Sequence, residues 1–228
     1  MDDATRLARL AEAAAALVEG GMLLGLGSGS TAEATIRALG VRVAAGLRVT
    51  GVPTSARTER LARDLGIPLR ALDEVEHLDL GIDGADEIDP RLDVVKGRGG
   101  ALLYEKLVAL ACERYLIVAA AEKLVKRLGT RMPLPVEVVA VGWRQTASRL
   151  EATGCRTALR RMTDGAPFVS DGGHYVLDCA TGPIADAREL AASIKAITGV
   201  VDHGIFAGFA DRAMVVDPDG TVRTLTRG

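Results

Sequence analysis

Between Ile82 and Lys106 the chain reads IDGADEIDPRLDVVKGRGGALLYEK, and much of what could do chemistry lies in this stretch. Asp83, Asp86, Glu87 and Asp89 crowd into seven residues, Lys96 precedes the turn Gly97-Arg98-Gly99-Gly100, and Glu105 falls in the first turn of the helix that follows. At helical spacing Glu105 is flanked by Ala101, Leu102, Val108 and Ala109. A carboxylate among such neighbours loses water, and its proton affinity rises toward that of a useful general base. The alternative is a first-turn glutamate that complements the helix dipole. Lys96 beside a glycine turn suits a cation that stabilises an oxyanion, against the commoner fate of a solvated lysine at a strand end. Within the acid cluster, Asp89-Pro90 is a turn signal, and Asp86 or Glu87 could cap or face solvent. The D-x-x-D-E-x-D spacing is not that of an EF-hand, and His77, His174 and His203 show no ligand spacing, so no metal is expected.

A second cluster is Gly25-Leu26-Gly27-Ser28-Gly29-Ser30-Thr31. It lies between an apolar strand and a helix, where free backbone N–H groups and the helix dipole favour a phosphate, with hydroxyls from Ser28, Ser30 and Thr31. Ser30 stands where a third dinucleotide-binding glycine would be, no P-loop lysine follows, and the next strand ends without an acid for a ribose hydroxyl. A small phosphate ester is therefore favoured over a dinucleotide. The plain alternative is a tight turn with Ser/Thr caps.

These residues need elements to hold them. Strands are expected at 22–26, 48–52, 67–70, 78–82 and 115–120, and helices at 5–19, 32–39, 58–65 and 101–112, the last apolar nearly all round and so buried. That alternation predicts a parallel, Rossmann-like sheet, with ligands beyond the carboxyl ends of its strands. From Met132-Pro133-Leu134-Pro135 the pattern becomes strand 136–141, helix 144–152, strands 156–162 and 174–179, helix 186–197 and strand 200–207. The order βαββαβ predicts a smaller ferredoxin-like α+β domain, with Trp143 packed between helix and sheet. Strands at 213–216 and 222–225 return to the first domain. The domain reading is 1–130 with 205–228, and 131–204.

The chain has 228 residues, a net charge of -2 and 3% aromatic residues, which offers no electrostatic or stacking case for nucleic acid. No apolar run approaches the ~20 residues of a membrane span. Cys112, Cys155 and Cys179 form no C-x-x-C pair and read as reduced cysteines of a cytoplasmic protein.

The stretches Gly25–Ala32, Asp83–Ile88 and Lys96–Ala101 with Glu105-Lys106 resemble the signatures of the A-type ribose-5-phosphate isomerases, as do Pro133–Val138, Gly199–Val201 and Gly204–Phe206. The resemblance spans nearly the whole chain in order. It implies interconversion of D-ribose 5-phosphate and D-ribulose 5-phosphate in the non-oxidative pentose phosphate pathway, without metal or cofactor, by a homodimer or homotetramer. It implies Glu105 as catalytic base, assisted by Asp83, Asp86 and Lys96. Substrate binding falls on Ser28, Gly29, Ser30 and Thr31, on Asp83, Gly84, Ala85 and Asp86, on Lys96, Gly97, Arg98 and Gly99, and on Lys123. The chain departs from the family pattern at Arg98, usually glycine, at Ser28, commonly threonine, and in Ala120–Lys123. A non-catalytic sugar-phosphate sensor on the same fold is the alternative, and turnover separates the two.

Overall fold

The computed structural model describes residues 2–227. In chain order its elements are α1 (Asp3–Ala15), β1 (Leu23–Leu26), α2 (Ser30–Ala44), β2 (Thr50–Pro53), α3 (Ala56–Asp64), β3 (Leu80–Gly84), β4 (Glu87–Ile88), β5 (Val94–Val95), α4 (Leu102–Ala111), β6 (Tyr115–Ala120), β7 (Leu134–Val138), α5 (Trp143–Glu151), β8 (Arg156–Leu159), β9 (Tyr175–Ala180), α6 (Ala187–Lys195), β10 (Val200–His203), β11 (Ile205–Phe206), β12 (Arg212–Val216) and β13 (Val222–Thr226). Contacts gather them into two units. The first holds the chain up to Ala85, Tyr104–Lys123 and the chain from Gly208 onward; the second holds Asp86–Leu103 and Leu124–Ala207. This grouping differs from the boundaries read in the sequence at 86–103, 124–130 and 205–207. Those segments include β4, β5 and β11, which hydrogen-bond to one another in a separate sheet.

The first unit is built on a six-stranded sheet in the order β13-β12-β6-β3-β1-β2. Five of the strands run parallel, and β13 closes the edge antiparallel. Read from β2 to β12 the order is 2-1-3-4-5, the doubly wound arrangement whose chain reverses direction between β1 and β3. The parallel-sheet expectation holds, and the reversal places the carboxyl ends of β1 and β3 where such folds keep their ligands. Asp2 caps α1 by accepting from the Thr5 amide at 2.8 Å, which starts this helix earlier than its apolar stripe suggests. The helix stops at Ala15, so Leu17 lies beyond it and is exposed. The strand expected at 67–70 is a single bridge from Leu69 to Gly51. Pro68 offers the sheet only a carbonyl, which accepts from the Gly51 amide at 2.8 Å.

The second unit has the expected βαββαβ order, folded as an antiparallel sheet β10-β7-β9-β8 with α5 and α6. Leu134, Val136, Val138, Leu150, Leu177 and Ile194 form its core, and Trp143 packs against it from the start of α5. The single strand expected over 200–207 is split into β10 and β11. At the break, Gly204 donates its N–H to the Pro135 carbonyl and accepts from the Lys96 amide, both at 2.8 Å. A Cβ on Gly204 would lie 2.1 Å from the Lys96 carbonyl oxygen, so only glycine lets the chain pass from one sheet to the other here. Among the described residues no helix is long and apolar enough to cross a membrane.

Candidate active site

In the first unit the site is laid out from the end of β1. Gly27 follows the strand, and its amide donates to the Ile82 carbonyl at 3.0 Å. A Cβ at Gly27 would sit 2.3 Å from Asp83 Oδ1 and 2.5 Å from Asp83 Cα, so the missing side chain is what lets β1 and β3 close on each other. Asp83 is buried near the end of β3. Its Oδ1 accepts from the amides of Ser28 at 3.0 Å and Gly84 at 2.7 Å, and its Oδ2 accepts from the Tyr115 hydroxyl at 3.0 Å. Its carboxylate is thus fixed in orientation from three directions.

Gly29, with φ of 92°, is the N-cap of α2 and supplies no side-chain acceptor. This is the geometry in which the opening amides of a helix are presented to an anion. Ser30 and Thr31 form that first turn. The Ser28 hydroxyl turns elsewhere, toward the hydroxyls of Thr54 and Ser55, each at 2.8 Å, and of Thr58 at 3.1 Å. This hydroxyl cluster joins the ends of β1 and β2, and only Ser28 in it is legible from the sequence.

Glu105 is 5% exposed and lies in the first turn of α4, so its carboxylate is withdrawn from water as well as placed near the helix N-terminus. Helix α4 comes close to the sheet because Gly25 and Gly81 leave room for it. A Cβ on Gly25 would lie 2.7 Å from the Val108 side chain, and one on Gly81 would lie 2.6 Å from Cys112 Sγ. Its composition predicts a helix buried all round, and the structure differs. Tyr104, Leu107 and Leu110 form an exposed apolar face, while Leu102, Glu105, Lys106, Val108 and Ala109 point inward. Burial of Glu105 thus follows from helical phase. Lys123 is half-buried and closes a 3-10 turn after β6, on the same sheet edge as the ends of β1 and β3.

In the second unit Lys96 is 2% exposed, so the solvated-lysine alternative falls. Its ammonium lies 5.7 Å from the centre of the Phe206 ring, and its amide is held by Gly204. Gly97 and Gly100 take positive φ of 102° and 84°, while Arg98 does not and is exposed. The turn is gripped on both sides. Asp86 Oδ2 accepts from the Arg98 amide at 3.0 Å, and Arg160 donates to the carbonyls of Gly97 and Arg98 at 2.8 and 3.0 Å. Arg160 is itself anchored by an ion pair with Asp178. Nothing in the sequence marks Arg160, which comes from 62 residues away in the chain.

The four clustered acids part company. Glu87 is fully buried and accepts from the amides of Gly129 and Arg131, both at 2.6 Å, and of Met132 at 3.2 Å. Asp89 caps the turn to Asp93, and burial raises its proton affinity above the usual carboxylate range. Among the described residues no group of three or more His, Cys, Asp or Glu is placed to hold a metal ion.

Comparison with known proteins bears on these features as a set. Residues 50–220 match the model of the family described as ribose 5-phosphate isomerase A (phosphoriboisomerase A). A ribose-5-phosphate isomerase A of Roseiflexus sp. (strain RS-1) is 56% identical over 97% of this chain and 96% of the relative. One from Synechococcus sp. (strain JA-3-3Ab) is 51% identical over 92% of each. The solved ribose 5-phosphate isomerase A of Methanocaldococcus jannaschii is 37% identical and superposes with a TM-score of 0.92 over 99% of this chain and 100% of that one. A D-ribose-5-phosphate isomerase solved in complex with phospho-erythronic acid is 33% identical, with a TM-score of 0.96 over the full length of both chains. The chain belongs to the ribose 5-phosphate isomerase A family.

Proposed function

We propose that the protein interconverts D-ribose 5-phosphate and D-ribulose 5-phosphate, the isomerisation step of the non-oxidative pentose phosphate pathway, through an enediolate. The observation that carries this reading is the burial of both a carboxylate, Glu105, and an ammonium, Lys96. Folding does not favour burying such groups without a use for them. Moving the carbonyl from C1 to C2 requires a proton to leave C2 and one to arrive at C1. These carbons are adjacent, so one base serves both, and Glu105 is that base. Lys96 stabilises the oxygen that becomes negative. Asp83 moves a hydroxyl proton and helps open the furanose ring, with Asp86 shaping the lysine turn. Ser28, Gly29, Ser30 and Thr31 take the phosphate, while Asp83 to Asp86, Lys96 to Gly99 and Lys123 complete substrate binding. The complex of a structural relative with phospho-erythronic acid, a phosphorylated sugar acid, supports a sugar-phosphate ligand. The exposed apolar face of α4 supports assembly as a homodimer or homotetramer, which light scattering tests.

The deciding experiment is turnover of ribose 5-phosphate by the parent and by Glu105→Gln, with solvent deuterium incorporation followed in parallel. The variant keeps the shape and removes the base. Turnover and exchange are expected to fall together by at least ~10²-fold, the low end for a positioned general base. Near-normal exchange in Glu105→Gln would move the base to Asp83 or Asp86, and no turnover by the parent would leave the sensor reading.

A further inference from the structure

Tyr115 opens β6 directly opposite Gly81 in the parallel ladder with β3. Asp83 lies two residues beyond Gly81 on the same face of β3, roughly 7 Å further along the strand. The tyrosine ring spans that interval. A Cβ on Gly81 would be 2.6 Å from the ring's Cδ2 and 3.0 Å from its Cε2, so the ring occupies the volume where Gly81 would otherwise carry a side chain. The ring is 3% exposed, and its hydroxyl ends 3.0 Å from Asp83 Oδ2. The residue is pinned at its other end as well, where its amide donates to Asp211 Oδ2 at 2.7 Å. Burial keeps the phenol protonated far above its ordinary range, and the charges of Asp83 and Glu105 add to that, so it stays a donor throughout the working pH range.

We propose that Tyr115 is a positioning residue for the isomerisation, holding the Asp83 carboxylate in the orientation in which it moves a substrate proton. The proposal rests on the isomerase reading and on a role for Asp83 in it. The two oxygens of Asp83 are treated differently by the fold. Oδ1 is held by two backbone amides that come with the β1–β3 closure, and any residue but proline at those positions would supply them. Oδ2 is held by a side chain, and only tyrosine at position 115 places a neutral hydroxyl there across a glycine. Other ionisable groups facing this cluster include Glu105 from α4, Cys112 just after α4 and Asp211 just before β12. Burial, then Asp83 and Asp211, push the Cys112 thiol up to about 12, so it adds no charge. Tyr115 is thus a side-chain donor to Oδ2 whose removal leaves the backbone frame in place.

The test is Tyr115→Phe, which deletes one oxygen and keeps the ring in the Gly81 slot. Losing a hydrogen bond to a charged group is expected to lower kcat about tenfold. KM should change less than kcat, because the variant reorients Asp83 and removes no substrate-binding group. An independent readout is the antisymmetric carboxylate stretch of Asp83 in infrared spectra, isolated as the difference between each protein and its Asp83→Asn counterpart. This band is expected to shift between the parent and Tyr115→Phe, while the melting temperature shows that both are folded. An unmoved band, or a moved band with parental kcat, overturns the proposal. Failure of the isomerase reading shows separately, as a parent without turnover, and the infrared band then still decides whether Tyr115 holds Asp83.

Discussion

Replacing Gly27 with alanine is expected to disable the site while leaving the protein folded. The added Cβ would start 2.3 Å from Asp83 Oδ1, 2.4 Å from Cγ and 2.5 Å from Cα. Carbon atoms in contact prefer ~3.5–4.0 Å, so the strands must part by about 1 Å where the two residues meet. Neither side gives easily. Gly27 is tied by its amide to the Ile82 carbonyl at 3.0 Å, and its carbonyl accepts from the Thr58 hydroxyl at 2.9 Å. Asp83 is backbone as well as side chain in this contact, so no rotamer change relieves it. The hydrogen bond from the Ser28 amide to Asp83 would stretch beyond use. Misplacing a reacting group by ~1 Å costs on the order of 10²-fold in rate, and overpacking costs about 1–3 kcal/mol in stability. The assay is kcat/KM for ribose 5-phosphate beside thermal melting, with Gly20→Ala as the matched control. Gly20 has open space around its Cβ position and no positive φ. If Gly27→Ala kept kcat/KM within about twofold of the parent, the close approach of β1 to Asp83 would have no part in the chemistry.

Under the proposed role of Lys96 as the oxyanion's cation, Lys96→Ala is expected to lower kcat and kcat/KM together; a rise in KM alone would reduce Lys96 to a substrate anchor. Arg98→Gly should leave KM nearly unchanged, because the Arg98 side chain is exposed, its part in the proposed binding turn is its backbone, and that backbone needs no left-handed φ. A rise of about tenfold, equal to ~1.4 kcal/mol, would place its guanidinium on the substrate phosphate. Glu87→Ala strands the amides of Gly129, Arg131 and Met132. At about 1–3 kcal/mol for each buried donor left unpaired, at least ~2 kcal/mol of stability should go. An unchanged urea midpoint would show that water or a neighbour replaces the carboxylate.

Local signals were legible and register was not. β6 runs from Tyr115 to Ala120 as its apolar pattern predicts, and the burial of Glu105 follows from helical spacing alone. Helix starts moved where a cap overrode the apolar stripe, as at Asp2. The four acids look like one constellation along the chain, yet alternation along β3 and β4 and the turn at Asp89 send them to different partners. Tyr115, Arg160 and Gly204 could not be found in the same way. Each matters through a residue far away in sequence, and only the strand pairing tells which residue that is. The glycines of β1 and β3 read as weak strand formers, and become intelligible once α4 is seen lying on them.

The sheet switch at Gly204 also sets an order of events during synthesis. β5 pairs with β11, and the Lys96 amide with Gly204, across about 110 residues of chain. At ~5–20 residues per second, a ribosome needs roughly 5–20 s to supply the partner. During that interval Val94 and Val95 form an apolar edge with no strand on the β11 side, the kind of edge that invites pairing with other chains. A lysine whose backbone is fixed only when residue 204 arrives cannot be buried early. Lys96, the proposed cation, is put in place late, and a nascent chain stalled before β11 would carry Glu105 and the Ser28–Thr31 turn with the Lys96 amide still lacking its Gly204 partner.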